Sequence, residues 1–291
     1  MVFILSLGML LSVFVWDPDR FCFTVPFIHY PITWYGCFFA CGFMAGYWLL
    51  RHIYTQVFSM KNVADPKEEA TLFMDRFAGV GVLSAVVGAR LGYVFFYGWP
   101  HYRHHPIDIF KVWEGGLASH GAAVAVLCGI VFFVRQQKKR FPQLSFLWLL
   151  DGMTIAVGLA AGSIRLGNFM NQEITGTPTT MPWGVSFLHP TDNHAGVPLH
   201  PVQLYEASFY FTLCACFYLL WRLRKKELGS GFLSGCFFVT LFTFRFIIEF
   251  FKSHQSALLS PDFPLRMGQI LSLPFIAVGI ILLIRRGHAR A

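Results

Sequence analysis

Seven long blocks of apolar residues dominate this chain. A helix that crosses a lipid bilayer needs about 20 consecutive, mostly apolar residues. The blocks that qualify lie at 34–54, 78–97, 117–134, 146–164, 203–221, 231–250 and 268–284. Only 13% of the 291 residues are charged, about half the share of a soluble domain. The sequence therefore predicts an all-α, polytopic membrane helix bundle of about seven transmembrane helices, forming a single domain over residues 1–291.

Basic residues are unevenly divided among the connecting loops, and this pattern predicts the orientation. The chain has 23 Lys and Arg residues. Fifteen of them in total lie on one side, in alternate loops and the C-terminal tail, whereas six lie on the opposite side and two lie within helices. Loops rich in Lys and Arg stay in the cytoplasm. We therefore expect the N-terminus outside and the C-terminus in the cytoplasm.

Two segments outside these blocks need separate treatment. Residues 1–16 are apolar but lack the basic start and the cleavage site of a signal peptide. We expect them to lie in or on the outer interface, and an eighth spanning helix stays open as the alternative. The longest outer loop, a periplasmic region at about 165–202, is dense in Gly, Pro, Thr and Asn. Loops of this length in a compact bundle are more often functional than idle.

Polar side chains near the ends of the helices predict a functional cavity. Ionisable groups inside a bilayer are costly unless they are paired or hydrated. With the orientation above, nearly all of them fall in the outer half of the membrane, and only Asp151 lies toward the cytoplasmic end. The outer group comprises Tyr35, Arg90, Ser119, His120, Arg165, Asn168, Glu173, His200, Tyr205, Glu206, Arg245 and Glu249. Arginine binds phosphate and histidine can act as a general base, so a phospholipid headgroup is the expected ligand.

Structural roles stay open for several members of this group. Arg245 and Glu249 are spaced so that they could neutralise one another on one helix. Arg90 could extend to the lipid headgroups. His120 could be an ordinary satisfied polar residue, and Glu206 could hold helices together by hydrogen bonds.

Other classes of function fit the sequence less well. A transporter needs charged groups across both halves of the membrane, an intramembrane protease needs a Ser–His pair on separate helices or paired aspartates, and a scaffold does not need three arginines near one leaflet.

The seven cysteines form no CxxC pair and are typical of small buried side chains. No HExxH motif is present. We expect no metal, no cofactor and no nucleic-acid partner, and we keep a transporter or a non-catalytic phospholipid-binding protein as the alternative.

One stretch carries a specific resemblance. Residues 165–176 read RLGNFMNQEITG, which resembles the signature of the prolipoprotein diacylglyceryl transferase family, R-x-G-N-F-x-N-x-E-x-x-G, at all seven fixed positions. Further matches occur in the same order and extend the resemblance over about residues 33–275. They are TWYG (33–36), GARLGYVFFY (88–97), EGGLASHG (114–121), HPVQLYE (200–206), FRFIIEFF (244–251) and MGQILSLP (267–274).

The resemblance implies an activity and a set of residue roles. The family transfers diacylglycerol from phosphatidylglycerol to the thiol of the lipobox cysteine in a preprolipoprotein signal peptide, which forms a thioether and releases glycerol phosphate. His120 would be the essential histidine, and Arg165 and Arg245 would hold the lipid phosphate. The other expected lipid-binding residues are Tyr35, Arg90, Asn168, Asn171, Glu173, His200, Tyr205, Glu206 and Glu249. The implied location is the bacterial inner membrane, with the active site toward the outer leaflet.

Three positions depart from the family's pattern. Ile164 stands where a small residue usually precedes the first arginine. Leu241 replaces a tyrosine that is often found four residues before the second arginine, and Leu199 replaces an arginine that often precedes the HP of HPVQLYE. These changes leave the core residues in place and concern the expected headgroup contacts.

Overall fold

The structure is a computed structural model that describes residues 14–27, 29–142, 144–191, 195–225, 228–253 and 264–288. Seven long helices occupy the seven apolar blocks. They are α1 (Trp34–Met60), α2 (Pro66–Phe96), α4 (Ser119–Gln137), α5 (Phe146–Met170), α6 (Val202–Leu223), α7 (Phe232–Ile248) and α8 (Met267–His288). A short helix, α3 (Trp99–Tyr102), and 3₁₀ turns at Pro106–Phe110, Val112–Glu114 and Glu249–Phe251 complete the helical part of these ranges.

Six helical segments in the described ranges are long and apolar enough to cross a membrane. They are Pro66–Phe96, His120–Gln137, Phe146–Met170, Val202–Leu223, Phe232–Phe251 and Met267–Arg285. The expected polytopic helical membrane protein is thus confirmed in its coarse form. Helix α1 forms as predicted but lies outside this set of six, so seven spans and the orientation of the termini stay predictions.

Two helices extend beyond the apolar blocks, each for a local reason. Helix α2 begins at Pro66 because the Asp65 side chain accepts a hydrogen bond from the Glu68 amide and proline suits the first helical position. Helix α5 continues to Met170, six residues past the apolar block. The first half of the signature therefore lies on the last turns of a helix, whereas the sequence had suggested that the loop begins at Arg165.

Five short strands make the all-α description incomplete. In the first sheet, β1 (Phe14–Trp16) pairs in parallel with β4 (Val185–Phe187), which pairs antiparallel with β5 (Pro198–Leu199). In the second, β2 (Phe21–Val25) and β3 (Tyr30–Thr33) form an antiparallel pair. Strand β1 is the end of the apolar segment 1–16, and residues 1–13 of that prediction lie outside the described residues.

The chain divides into two compact units, whose boundaries fall within α1 and α5. The first unit comprises Met1–Gly46 and Met153–Ala291, and the second is Tyr47–Gly152. In the first unit, the end of α5 packs on the three-stranded sheet through Phe169, whose ring lies 4.6 Å from Trp16. The indole of Trp16 also donates a hydrogen bond of 3.1 Å to the Phe169 carbonyl. The signature helix and β1 are therefore held together directly.

In the second unit, α2 and α4 approach each other through glycines. A Cβ at Gly88 would lie 2.5 Å from the carbonyl oxygen of Gly121 and would overlap the side chain of Ala125. A Cβ at Gly92 would lie 2.8 Å from the Cα of Gly121. Such close approach of backbones at small residues is a common way to pack helices in membranes. It brings the first turn of α4 against α2, where the Ala118 amide donates to the Ala89 carbonyl at 2.9 Å.

Candidate functional site

A buried carboxylate, Glu206, organises the polar side chains of the first unit. It projects from the first turns of α6 and is completely buried. One of its oxygens lies 3.1 Å from Nε of Arg165, and the other lies 2.9 Å from Nζ of Lys252. The hydroxyl of Tyr210 also reaches this carboxylate, at 3.4 Å. Because Glu206 is shielded from water, its charge depends on these partners.

Arg165 stands on the last turns of α5, where the helix runs into the signature loop. Beyond its ion pair with Glu206, its Nη1 donates to the Asn168 side chain at 3.2 Å. A guanidinium carries five N–H groups, so these two contacts orient its plane and leave other N–H groups without a partner of this kind among the described residues. The side chain is 14% exposed, which places those donors at the edge of the buried cluster.

The signature loop continues this chain of contacts. The Asn168 amide donates at 2.8 Å to the Glu173 carboxylate, which Asn171 also approaches at 3.3 Å. Gln172 and Ile174 adopt left-handed φ angles of 54° and 58°, so the backbone curls tightly around Glu173. Within the described residues, the buried side-chain oxygen of Asn171 has no hydrogen-bond partner.

The C-terminal end of α7 supplies the other half of the cluster. Lys252 lies 3.7 Å from the Glu249 carboxylate in addition to its contact with Glu206, and it is 4% exposed. The Arg266 guanidinium donates to the backbone carbonyls of Glu249, at 2.7 Å, and of Lys252. The Glu249 carboxylate rests against Gly268, where an added Cβ would come within 2.5 Å of it. The MGQILSLP segment thus supplies the surface on which Glu249 lies.

Arg245 does not neutralise Glu249, contrary to the structural alternative raised from their spacing. Glu249 begins the 3₁₀ turn after α7 and pairs with Lys252 instead. Across the described part of the chain, no carboxylate lies within ion-pair distance of Arg245. Arg245 lies near enough to the Tyr210 hydroxyl to interact with it electrostatically, and that hydroxyl donates to Glu206. Arg245 therefore brings a cation to the cluster without an acidic partner of its own.

Three further predicted residues lie in the first unit. The ring of Tyr35, at the start of α1, packs on Gly167, where an added Cβ would lie 2.8 Å from the ring. The Tyr205 hydroxyl accepts a hydrogen bond of 2.6 Å from the Trp183 indole and lies 3.3 Å from Nδ1 of His200. A small residue in the signature thus allows Tyr35 to approach α5, and the 165–202 loop closes onto α6 through Trp183.

The two remaining predicted residues, Arg90 and His120, belong to the second unit. Arg90 is 4% exposed, so it does not extend to the headgroups. Its guanidinium donates to the backbone carbonyls of Asp108, Ile109, Gly115 and Gly116. These contacts shape the connection between α3 and α4, which ends beside His120.

His120 lies exposed in the first turn of α4. Its ring packs against Phe96 and Tyr97, with centroid distances of 5.3 and 5.7 Å. Within the described ranges, its ring nitrogens have no hydrogen-bond partner. The reading of His120 as an ordinary satisfied polar residue therefore gains no support from its surroundings.

Sequence reasoning missed several residues of this site. Lys252 and Arg266 had been counted only among the six cations of the outer side, and Gln203 and Gly268 had been noted only as parts of HPVQLYE and MGQILSLP. The signal for Lys252 was its position three residues after Glu249 at the end of an apolar helix. Gln203 could have been suspected from its place in HPVQLYE, and it donates to the Glu173 carbonyl at 2.9 Å.

Comparison with known proteins places these motifs in one family. The family profile described as prolipoprotein diacylglyceryl transferase matches residues 22–285. A phosphatidylglycerol–prolipoprotein diacylglyceryl transferase of Chlamydia pneumoniae is 38% identical over 275 residues, covering 94% of this chain and 96% of that protein. The Tolumonas auensis protein of the same name is 42% identical over 260 residues, covering 89% and 93%. That of Porphyromonas gingivalis is 38% identical over 280 residues, covering 93% of each chain.

Proposed function

This chain belongs to the prolipoprotein diacylglyceryl transferase family, and on that premise we propose how its residues carry out the reaction. The enzyme is a transferase that moves the diacylglyceryl group from phosphatidylglycerol to prolipoprotein. The acceptor is the thiol of the lipobox cysteine, and the products are a thioether and glycerol phosphate. We place the protein in the bacterial inner membrane, with seven spans, the N-terminus outside and the active site toward the outer leaflet.

The observation that carries the assignment of the phosphate site is the way Arg165 is held. Glu206 and Asn168 orient its guanidinium by two contacts, and its remaining donors lie at the edge of the buried cluster. A fixed planar guanidinium matches the oxygens of a phosphodiester. Arg245, which has no carboxylate partner among the described residues, supplies a second cation.

The chemical step displaces phosphate from a glycerol carbon. The thiolate sulfur forms a bond to the terminal carbon of the diacylglyceryl group, and the bond between that carbon and the phosphate oxygen breaks. The leaving glycerol phosphate takes the bonding electrons and gains negative charge. Arg165 and Arg245 stabilise that charge as it develops, which is worth more at a partly desolvated site than in water.

Neutral and acidic groups of the signature position the headgroup. The buried side-chain oxygen of Asn171 has no partner in the described part of the chain. A glycerol hydroxyl of the lipid is a donor that would satisfy it. Asn168 and Glu173 orient Arg165 and the Asn171 amide. The surroundings of the headgroup are lined by Tyr35, His200, Tyr205 and Glu249.

Transfer of labelled diacylglycerol from phosphatidylglycerol to a lipobox peptide tests this function. Purified protein in lipid micelles should label the cysteine peptide and should leave a matched peptide with serine in place of cysteine unlabelled. A transporter or a non-catalytic lipid-binding protein would label neither peptide. Absence of label with folded protein and both substrates present would therefore contradict the activity.

We further propose His120 as the base that removes the thiol proton. A thiol with a pKa near 8.5 is only a few per cent ionised at neutral pH. His120→Gln should therefore lower transfer about 10²-fold at neutral pH, in the range typical of general-base catalysis. Because the thiolate fraction rises toward its pKa, the defect should shrink as the pH rises from 7 to 9.

The pH profile of transfer by His120→Gln, measured against that of the unmodified enzyme, checks this role. The natural control is His104→Gln, since His104 is an exposed histidine of the same unit that contacts Arg103 instead of α2. A ratio of variant to unmodified activity that stays flat between pH 7 and 9 would exclude His120 as the base.

A further inference from the structure

The charge on Glu206 raises a problem that Lys252 resolves. Glu206 holds Arg165 in place, but a carboxylate 3.1 Å from the guanidinium also cancels its positive charge. A neutralised arginine would attract a phosphodiester only weakly. The Lys252 ammonium lies 2.9 Å from the second oxygen of the same carboxylate and is itself buried.

Formal charges around this centre give a simple balance. Four cations take part, namely Arg165, Arg245, Lys252 and Arg266. Three anions face them, namely Glu173, Glu206 and Glu249. By this count of formal charges, the seven side chains carry one net positive charge. A phosphodiester carries one negative charge, so the lipid headgroup brings the cluster to neutrality.

We propose that Lys252 is a positioning residue that keeps the Arg165 site cationic by compensating Glu206. Lys252 itself is nearly inaccessible and does not touch the lipid. Without it, the resting cluster would be neutral and the bound lipid would leave an uncompensated negative charge in a partly buried site. This inference rests on the phosphate site proposed above.

The backbone around Lys252 indicates that its place is closely determined. Residue 252 forms a β-bridge with Gly176, the last fixed residue of the signature. The next residue, Ser253, donates from its amide to the Thr175 carbonyl at 3.1 Å, and the carbonyl of Lys252 accepts from Arg266. The end of α7 and the signature loop thus form a common frame that holds the ammonium beside Glu206.

The test is equilibrium binding of labelled phosphatidylglycerol to the full-length protein in zwitterionic detergent, together with KM and kcat for transfer. Lys252→Met should raise Kd and KM for the lipid about tenfold or more, because truncating one partner of a buried charge pair is costly, and should change kcat less. Lys252→Arg should stay within about threefold of the unmodified protein, since it keeps the charge. The matched control is Lys111→Met, which removes an exposed lysine paired with Asp108 at 2.7 Å.

A double variant separates charge compensation from simple packing. Lys252→Met combined with Glu206→Gln restores one net positive charge to the cluster, so it should regain part of the lipid affinity that Lys252→Met loses, even though Arg165 no longer has the Glu206 carboxylate beside it. If Lys252→Met does not fold, the double variant should still bind the lipid within about tenfold of the unmodified protein. A folded double variant that binds the lipid more weakly than that, or no more tightly than Lys252→Met, would overturn the proposal, and so would an unchanged Kd for Lys252→Met.

The two proposals can fail separately. Unmodified protein that binds phosphatidylglycerol without transferring diacylglycerol would contradict the proposed reaction and would leave the role of Lys252 measurable by Kd. Normal transfer by unmodified protein, with Lys252→Met equal to it in KM and Kd, would contradict only the role of Lys252.

Discussion

Replacing Arg165 by lysine should lower transfer by about 10³-fold, even though the charge is retained. Removing one well-placed donor from a developing anion typically reduces the rate by about 10²–10³-fold. Lysine lacks the planar fork that contacts Glu206 and Asn168 together, so its ammonium cannot keep these contacts and bind phosphate as well. We therefore expect an effect at the upper end of that range.

The measurement is kcat/KM for transfer from phosphatidylglycerol to a lipobox peptide, with Arg103→Lys as the control. Arg103 is an exposed arginine of the second unit whose Nε contacts His104, and its replacement should leave the rate unchanged. Thermal unfolding of both variants would check that the fold survives. Transfer by Arg165→Lys within tenfold of the unmodified enzyme would show that charge alone suffices at this position.

Replacing Gly88 by leucine should prevent stable packing of the second unit. Even the first carbon of a side chain at Gly88 would lie 2.5 Å from the carbonyl oxygen of Gly121 and would overlap Ala125. A backbone carbonyl cannot rotate away as a side chain can, so α2 and α4 would have to separate. Overpacking usually costs about 1–3 kcal/mol, and we expect the loss of unfolding free energy to reach about 3 kcal/mol or more here.

Gly81→Leu provides the control, because Gly81 lies on the same helix about two turns before Gly88. A Cβ at Gly81 meets no heavy atom within 4 Å, and leucine has a higher helix propensity than glycine. Unfolding temperature and recovery of monodisperse protein in detergent should therefore fall for Gly88→Leu and hold for Gly81→Leu. Equal stability of the two variants would mean that α2 and α4 do not approach each other as closely as described.

The helices could be located from the sequence because the bilayer demands long apolar runs. Their ends were less predictable, since capping by Asp65 and the continuation of α5 to Met170 depend on polar residues outside those runs. The strands were missed for another reason. Strand β1 is three residues long, and its partner β4 lies about 170 residues later in the sequence, so no local pattern indicates the pairing.

The sequence indicated which polar residues come together in the first unit better than it indicated how they pair. Arg165, Asn168, Glu173 and Glu206 do form one connected network. Spacing along one helix suggested that Glu249 pairs with Arg245, but the 3₁₀ turn after α7 carries Glu249 to Lys252 instead. Contacts between distant segments decide which of several nearby charges pair, and these follow from the packed structure alone.

The parallel pairing of Phe14–Trp16 with Val185–Phe187 has a consequence for biosynthesis. At about 5–20 residues per second, the ribosome takes roughly ten to thirty seconds to make the intervening 170 or so residues. For most of that interval the indole of Trp16 lacks the Phe169 carbonyl to which it donates, and for all of it β1 lacks its β4 neighbour. The sheet that packs on the end of α5 is therefore assembled from segments that are made well apart in time, and a nascent chain arrested before β4 would hold four of the seven long helices without that sheet.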